Sequence, residues 1–241
     1  MRIVISALTL LLVITGLSSA AMALDLTQRK VTVDSKLNVS SATKVANKLI
    51  AFDAQADAPI TLMISATDGS AQGVQLLADT IRSLKSPVVA AVVTQVHGAG
   101  AALATFTDRV LVYPSAGFVF TELPYEGVKK PKKPEPKKPA AEGEEAEEPA
   151  PPEPEELLLQ AARTSYLERF NARLAKRIHW RTKKLTKKMA AGGFIVTAEE
   201  AVRQKIADAI VESITYTALP ETKSETKVIT TDKRSRAVPA P

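Results

Sequence analysis

The sequence predicts an α/β fold built from parallel crossovers. Three observations carry the prediction. Ile60 to Ile64 and Val88 to Val93 are short, largely β-branched apolar runs, the signature of strands buried on both faces of a mostly parallel sheet. Segments with apolar residues at helical spacing flank them, as at Val74, Leu77, Ile81 and Leu84, and this alternation makes βαβ units. The second run continues through Thr94-Gln95-Val96-His97 into Gly98-Ala99-Gly100. Glycine there allows a tight turn, and the Ala-rich stretch lets a helix follow closely.

The chain has 241 residues, with 45% hydrophobic and 24% charged residues. That suffices for one sizeable domain with appendages. Cysteine is absent, which excludes disulfides, Cys-ligated zinc and thiol catalysis. No cofactor or metal is expected. The net charge of +6 is distributed in blocks.

In chain order, Met1 to Ala23 reads as a signal peptide. Arg2 supplies the basic end, Ile3 to Gly16 the apolar run and Ala21-Met22-Ala23 the cleavage site, so the folded part is expected to be exported, periplasmic or secreted. The alternative is an uncleaved N-terminal membrane anchor, since the stretch approaches the ~20 residues a bilayer requires. The core is expected over 24–127. Lys30 to Val33 is a strand, and Ser40 or Ser41 caps a helix carrying Val45, Leu49 and Phe52. After the helix ending near Lys85 and the Val88 strand come short strands at Arg109 to Tyr113 and Phe118 to Phe120.

Residues 128–156 consist almost entirely of Lys, Glu, Pro and Ala, basic first and acidic later. Such a segment has nothing to bury and is expected to be a disordered insertion. One long helix is expected from Leu157 to Met189, with Leu167, Phe170, Leu174 and Ile178 as its stripe and lysines and arginines over the rest. A basic amphipathic face of this kind fits an anionic envelope surface. Nucleic acid is a poor partner for an exported chain without a nucleic-acid motif. Thr197 and Glu200 form a capping box before a short helix, Ala209 to Ile214 is a last strand, and 218–241 reads as a disordered tail.

The segment Gln95-Val96-His97-Gly98-Ala99-Gly100-Ala101 resembles the active-site turn of the ClpP family, the proteolytic subunit of the Clp protease, in the ClpP/crotonase superfamily. Ile64 to Ser70 resembles that family's strand end and Gly-Gly turn, and the spacing from Gly69 to Gln95 matches. Asp79-Thr80 and Lys85 match in residue type. Thr197-Ala198-Glu199-Glu200-Ala201 resembles the family's C-terminal motif, and the basic helix resembles its handle helix. The resemblance implies a ClpP/crotonase-like superhelical core with a long handle helix, a homo-oligomer, and backbone oxyanion-hole donors at Gly69 and Ala99.

It also implies where catalytic residues would lie. The nucleophile position is Gly98. The histidine position falls on Thr121, or on Glu122 if Pro124 is the anchor, and the aspartate position on Gly193 or nearby. A serine hydrolase needs a nucleophile, a base and a group orienting that base, and none of these residues serves. The expected function is therefore a degenerate serine-peptidase homologue, an oligomeric scaffold or binding module for a peptide or protein. Two alternatives stand beside it. One is an active endopeptidase of the ClpP or signal-peptide-peptidase type with a relocated nucleophile, Ser65, Ser70 or Ser115, served by His97. The other is crotonase-like chemistry through Gly69, Ala99 and Glu122 or Glu126.

Overall fold

A computed structural model describes residues 22–34, 36–66, 68–127 and 154–217. The expected signal up to residue 21, the insertion as far as residue 153 and the tail from residue 218 lie outside these residues. The first half runs β1 (Met22–Thr27), β2 (Lys30–Val33), α1 (Val39–Asp53), β3 (Ile60–Ile64), α2 (Ala71–Ser83), β4 (Val88–Val92), β5 (Gln95–His97) and α3 (Ala99–Thr105). The second runs β6 (Arg109–Val112), β7 (Gly117–Phe120), α4 (Pro154–Arg177), α5 (Thr182–Ala190), β8 (Phe194–Thr197), α6 (Ala198–Arg203) and β9 (Ala209–Thr217).

Six strands form one parallel sheet in the order β1-β9-β6-β4-β3-β2. The buried runs occupy its centre, and every residue of β4 is buried. A smaller sheet, β5-β7-β8, stands beside it, with β5 parallel and β8 antiparallel to β7. The Val88 run therefore splits, and its second part leaves the large sheet to pair with β7. α3 is buried along its whole length. Its small residues let it sit against the end of β3: a Cβ on Gly100 would lie 2.3 Å from the Ala66 carbonyl oxygen.

The expected helix from 157 to 189 is two helices. α4 begins at Pro154, suited to a first turn because its missing N–H needs no partner. It ends in a Schellman motif: the Trp180 N–H donates to the Ala175 carbonyl at 2.8 Å and the His179 N–H to that of Lys176 at 3.3 Å. His179 takes the left-handed conformation at φ 55°. Ile178 is buried and Trp180 stacks on Phe194 at 4.6 Å, so burial of both holds the break. α4 is anchored by its later turns, through Phe170, Leu174 and Ala175, while Leu157, Leu158 and Leu159 are exposed.

Smaller differences have local causes. The cap of α1 is Asn38, whose side chain accepts the Ser41 N–H at 2.8 Å while Ser41 Oγ accepts the Asn38 N–H. β1 begins at Met22, ahead of the expected core boundary at Leu24, and β8 follows the two glycines at 192 and 193 in a stretch for which the sequence predicts no element. β9 extends past Ile214 to Thr217 to pair with β1. The Thr197–Glu200 capping box is present as expected.

Candidate functional site

The chain turns from β5 into α3 at Gly98, the N-cap of α3, at φ 46° and ψ −103°. Its N–H donates to the Val119 carbonyl at 2.8 Å and its own carbonyl accepts the Ala102 N–H at 2.9 Å. These bonds fix the turn between the small sheet and the buried helix, in a positive-φ conformation that glycine adopts without penalty. A Cβ on Gly98 would lie 3.0 Å from Thr121 Oγ1 and 3.3 Å from Leu123 Cδ2, and among the described residues no other beyond its chain neighbours comes within 4 Å.

Gly193 stands on the far side of Thr121. β7 and β8 pair Phe120 with Phe194, and this register brings Gly193 alongside Thr121. A Cβ there would lie 2.5 Å from the Phe120 carbonyl oxygen and 3.0 Å from Thr121 Cγ2, at φ 97°. Gly98, Thr121 and Gly193 thus converge. The cluster offers one hydroxyl and no carboxylate or imidazole, and Glu122 is exposed beside it. A hydroxyl cannot accept a proton near neutral pH as a catalytic base must.

Gly69 and Ala99 also meet. A Cβ on Gly69 would fall 2.6 Å from the Ala99 Cβ and 2.5 Å from the Leu37 carbonyl oxygen. Ala99 opens α3, where N–H groups have no intrahelical acceptor. The Gly69 N–H instead donates to Asp68 Oδ1 at 2.7 Å. Asp68 also pairs with Lys36 at 3.2 Å. The side chain that stands where the resembling family has its first glycine therefore occupies one of the two donors.

Of the relocated candidates, Ser70 has its hydroxyl committed elsewhere. Ser70 is buried; its Oγ accepts the Gly73 N–H at 3.1 Å, capping α2, and donates to Glu126 Oε2 at 3.1 Å. The same carboxylate oxygen accepts the Val39 N–H at 2.8 Å. Glu126 thereby ties the starts of α1 and α2 together, which is a structural use of the residue considered for acid–base chemistry. Its backbone N–H donates to Gln72 Oε1 at 2.9 Å, and the Ala71 N–H donates to the Pro124 carbonyl at 3.1 Å. The irregular segment after β7 is thus tied to the start of α2 at Pro124 and Glu126. Ser65 donates its N–H to the Val33 carbonyl at 2.9 Å, Ser115 lies exposed in the turn before β7, and His97 is half-buried with its N–H to Ala66.

Behind the cluster runs a stack of aromatic rings: Phe118 on Phe120 at 6.2 Å, Phe120 on Phe194 at 5.0 Å and Phe194 on Trp180 at 4.6 Å, capped by Lys184 Nζ 4.0 Å from the Trp180 ring centre. Only their apolar character was visible in the sequence, since the stack joins three separate segments. Among the described residues no group of three or more His, Asp and Glu side chains is placed to hold a metal, and no helix is long and apolar enough to cross a membrane.

The family model for Clp protease matches residues 18–129. The fold is similar to that of a point mutant of ClpP1 from Listeria monocytogenes, with a TM-score of 0.55 and 16% sequence identity, covering 78% of this chain and 92% of that one. No curated protein sequence matches the chain.

Proposed function

Because the Clp protease family model matches residues 18–129, we propose that this chain is an exported, catalytically degenerate member of that family, a homo-oligomeric module that binds peptide segments without cleaving them. The observation that carries this reading is the surroundings of Gly98. The apex of the turn bears no side chain, and among the described residues beyond its chain neighbours only Thr121 and Leu123 face it. Ser70, the nearest alternative in the chain to Gly69, has its hydroxyl committed to Gly73 and Glu126. Peptide binding is supported by β8, an edge strand whose Ile195 is 64% exposed; such an edge offers main-chain donors and acceptors to an extended peptide.

Export rests on the signal-like residues 1–23. Cleavage after Ala23 would leave Leu24 to Thr27 paired with Ile214 to Thr217. A second reading retains the segment as a membrane anchor, and the pairing of Met22 with Val211 favours it. The mass of the protein recovered from the envelope separates the two. The cations of 157–189 would lie toward an anionic surface in either case.

The binding reading is tested with a fluorescent library of unstructured peptides, by anisotropy and by mass spectrometry of the recovered peptides. Saturable binding with peptides recovered intact is expected. Cleavage by wild type at a rate that tracks protein concentration contradicts it.

A further inference from the structure

Cations line the groove between α2 and the C-terminal end of α4. Arg82, Arg173, Lys176 and Arg177, with the His179 ring beside them, surround Phe106 in a depression of about 460 Å³, and no acidic side chain lines it. An adjoining hollow of about 240 Å³ shares Arg82, Phe106 and Arg177 and adds Lys85 and Asp108. The Asp108 carboxylate is occupied by the Val88 N–H at 2.7 Å. Asp79, outside the lining, pairs with Arg82 at 3.0 Å and Arg173 at 3.1 Å.

The arginines are held in place. Arg177 Nη2 donates to the Phe106 carbonyl at 3.0 Å, and the Arg173 and Arg177 guanidinium carbons each lie 5.9 Å from the Phe106 ring centre. A guanidinium carries five N–H donors, so one bond to a carbonyl leaves others for a ligand. Fixing the side chains beforehand lowers the entropy lost when an anion binds. Like charges this close repel one another, and a bound anion relieves that repulsion.

We propose that this groove is a binding site for a multiply charged phosphate group. A carboxylate has one charge and two oxygens, which a single arginine satisfies through a paired contact. Several cations converging on one depression match a group with more oxygens and more charge. The group can come from a soluble pyrophosphate or phosphate ester, or from the headgroups of anionic phospholipids. The second source sharpens the approach of 157–189 to an anionic surface. The site uses none of the residues around Gly98, so it stands or falls separately from the loss of catalysis.

The test is calorimetric titration of the full chain with inorganic pyrophosphate at low salt. Saturable binding near one per chain is expected. The double variant Lys176→Gln, Arg177→Gln should bind about tenfold or more weakly, as loss of charge-assisted contacts requires. Lys176→Glu alone changes an exposed side chain and should weaken binding while keeping the wild-type circular dichroism. Lys48→Gln, exposed on α1 outside the groove, should leave affinity unchanged. Co-sedimentation with vesicles containing phosphatidic acid, whose phosphomonoester headgroup is multiply charged, lost in the same groove variants, identifies the lipid headgroup as the source; pyrophosphate binding without vesicle binding identifies a soluble phosphate. Equal weakening by Lys48→Gln reduces the effect to diffuse surface charge and overturns the proposal. So does binding of neither probe, including the case where a peptide of residues 142–156 binds instead.

Discussion

Asp68 Oδ1 accepts the N–H of Gly69 at 2.7 Å, so a backbone donor beside the Gly98 turn is already satisfied by the side chain preceding it. Asp68→Gly would release that N–H and remove the exposed pair with Lys36. Exposed pairs contribute little, so urea unfolding should shift by under about 1 kcal/mol. Hydrolysis of an activated ester should stay at the uncatalysed rate, because a freed donor without a nucleophile has no tetrahedral intermediate to hold. Saturable ester hydrolysis in the variant would show that a nucleophile is present.

Gly193 and Gly192 both have φ near 100°, but their surroundings differ. A Cβ at Gly193 meets the Phe120 carbonyl oxygen at 2.5 Å, whereas one at Gly192 has nothing within 4 Å. Gly192→Ala should cost only backbone strain, about 1–2 kcal/mol. Gly193→Ala adds a backbone clash in the β7–β8 pair and should cost about 3 kcal/mol or more. Chemical denaturation of the two variants measures the difference; equal losses would mean that the pair yields freely. The clash also means that the site is not one substitution away from an acidic residue at this position, because the backbone itself would have to move.

Two helices end in the left-handed conformation without glycine. His179 closes α4 at φ 55° and Lys205 closes α6 at φ 58°, where the Ile206 N–H reaches the Ala201 carbonyl at 2.8 Å. Glycine removes the steric cost of this conformation but adds freedom to the unfolded chain. Lys205→Gly and His179→Gly should each stabilise by about 0.5–1 kcal/mol, read from denaturation midpoints. A loss of stability would mean that the replaced side chain contributes more than the strain it carries.

Acid should weaken the fold through Asp53 and Asp79. Bonds from Ser86, chiefly its backbone N–H, hold the Asp53 carboxyl below its ordinary pKa of 3.8. Partial burial pushes Asp79 up, but Gln75, Arg173 and Arg82 outweigh it and the net direction is also down from 3.8. A group with a lowered folded pKa takes up its proton more readily when unfolded, so its stabilisation is present above pH 3.8 and disappears as pH falls through the folded value. The wild type should lose stability progressively as pH falls below about 4. Asp53→Asn and Asp79→Asn should be less stable at pH 7 and show a flatter decline. Identical pH profiles for wild type and variants would contradict this.

The large sheet and the Gly98 turn were legible because they are written locally, as apolar runs and as glycine following a strand. What escaped was written between distant segments. Met22 and Ala23 read as the end of a cleavage site, and only the pairing of Met22 to Thr27 with β9 makes this stretch a strand. Phe194 to Thr197 is too short to stand out after two glycines, and β7 supplies its partner. The break after Arg177 carries neither glycine nor proline, so the basic periodicity runs through it unmarked. Ser70 and Glu126 lie 56 residues apart, and no spacing rule joins them. The convergence of Gly98, Thr121 and Gly193 depends on the β7–β8 register, whereas their residue types are plain in the sequence.

The central claim is that no side chain here acts as an activated nucleophile. Fluorophosphonate labelling of the full chain, with intact mass and peptide mapping, addresses it most directly. The account predicts no adduct on protein that sediments as a single folded species, with or without bound peptide. A stoichiometric adduct on one residue, whether Ser65, Ser70, Ser115 or Thr121, abolished when that residue becomes alanine, would contradict it and make the protein a working hydrolase.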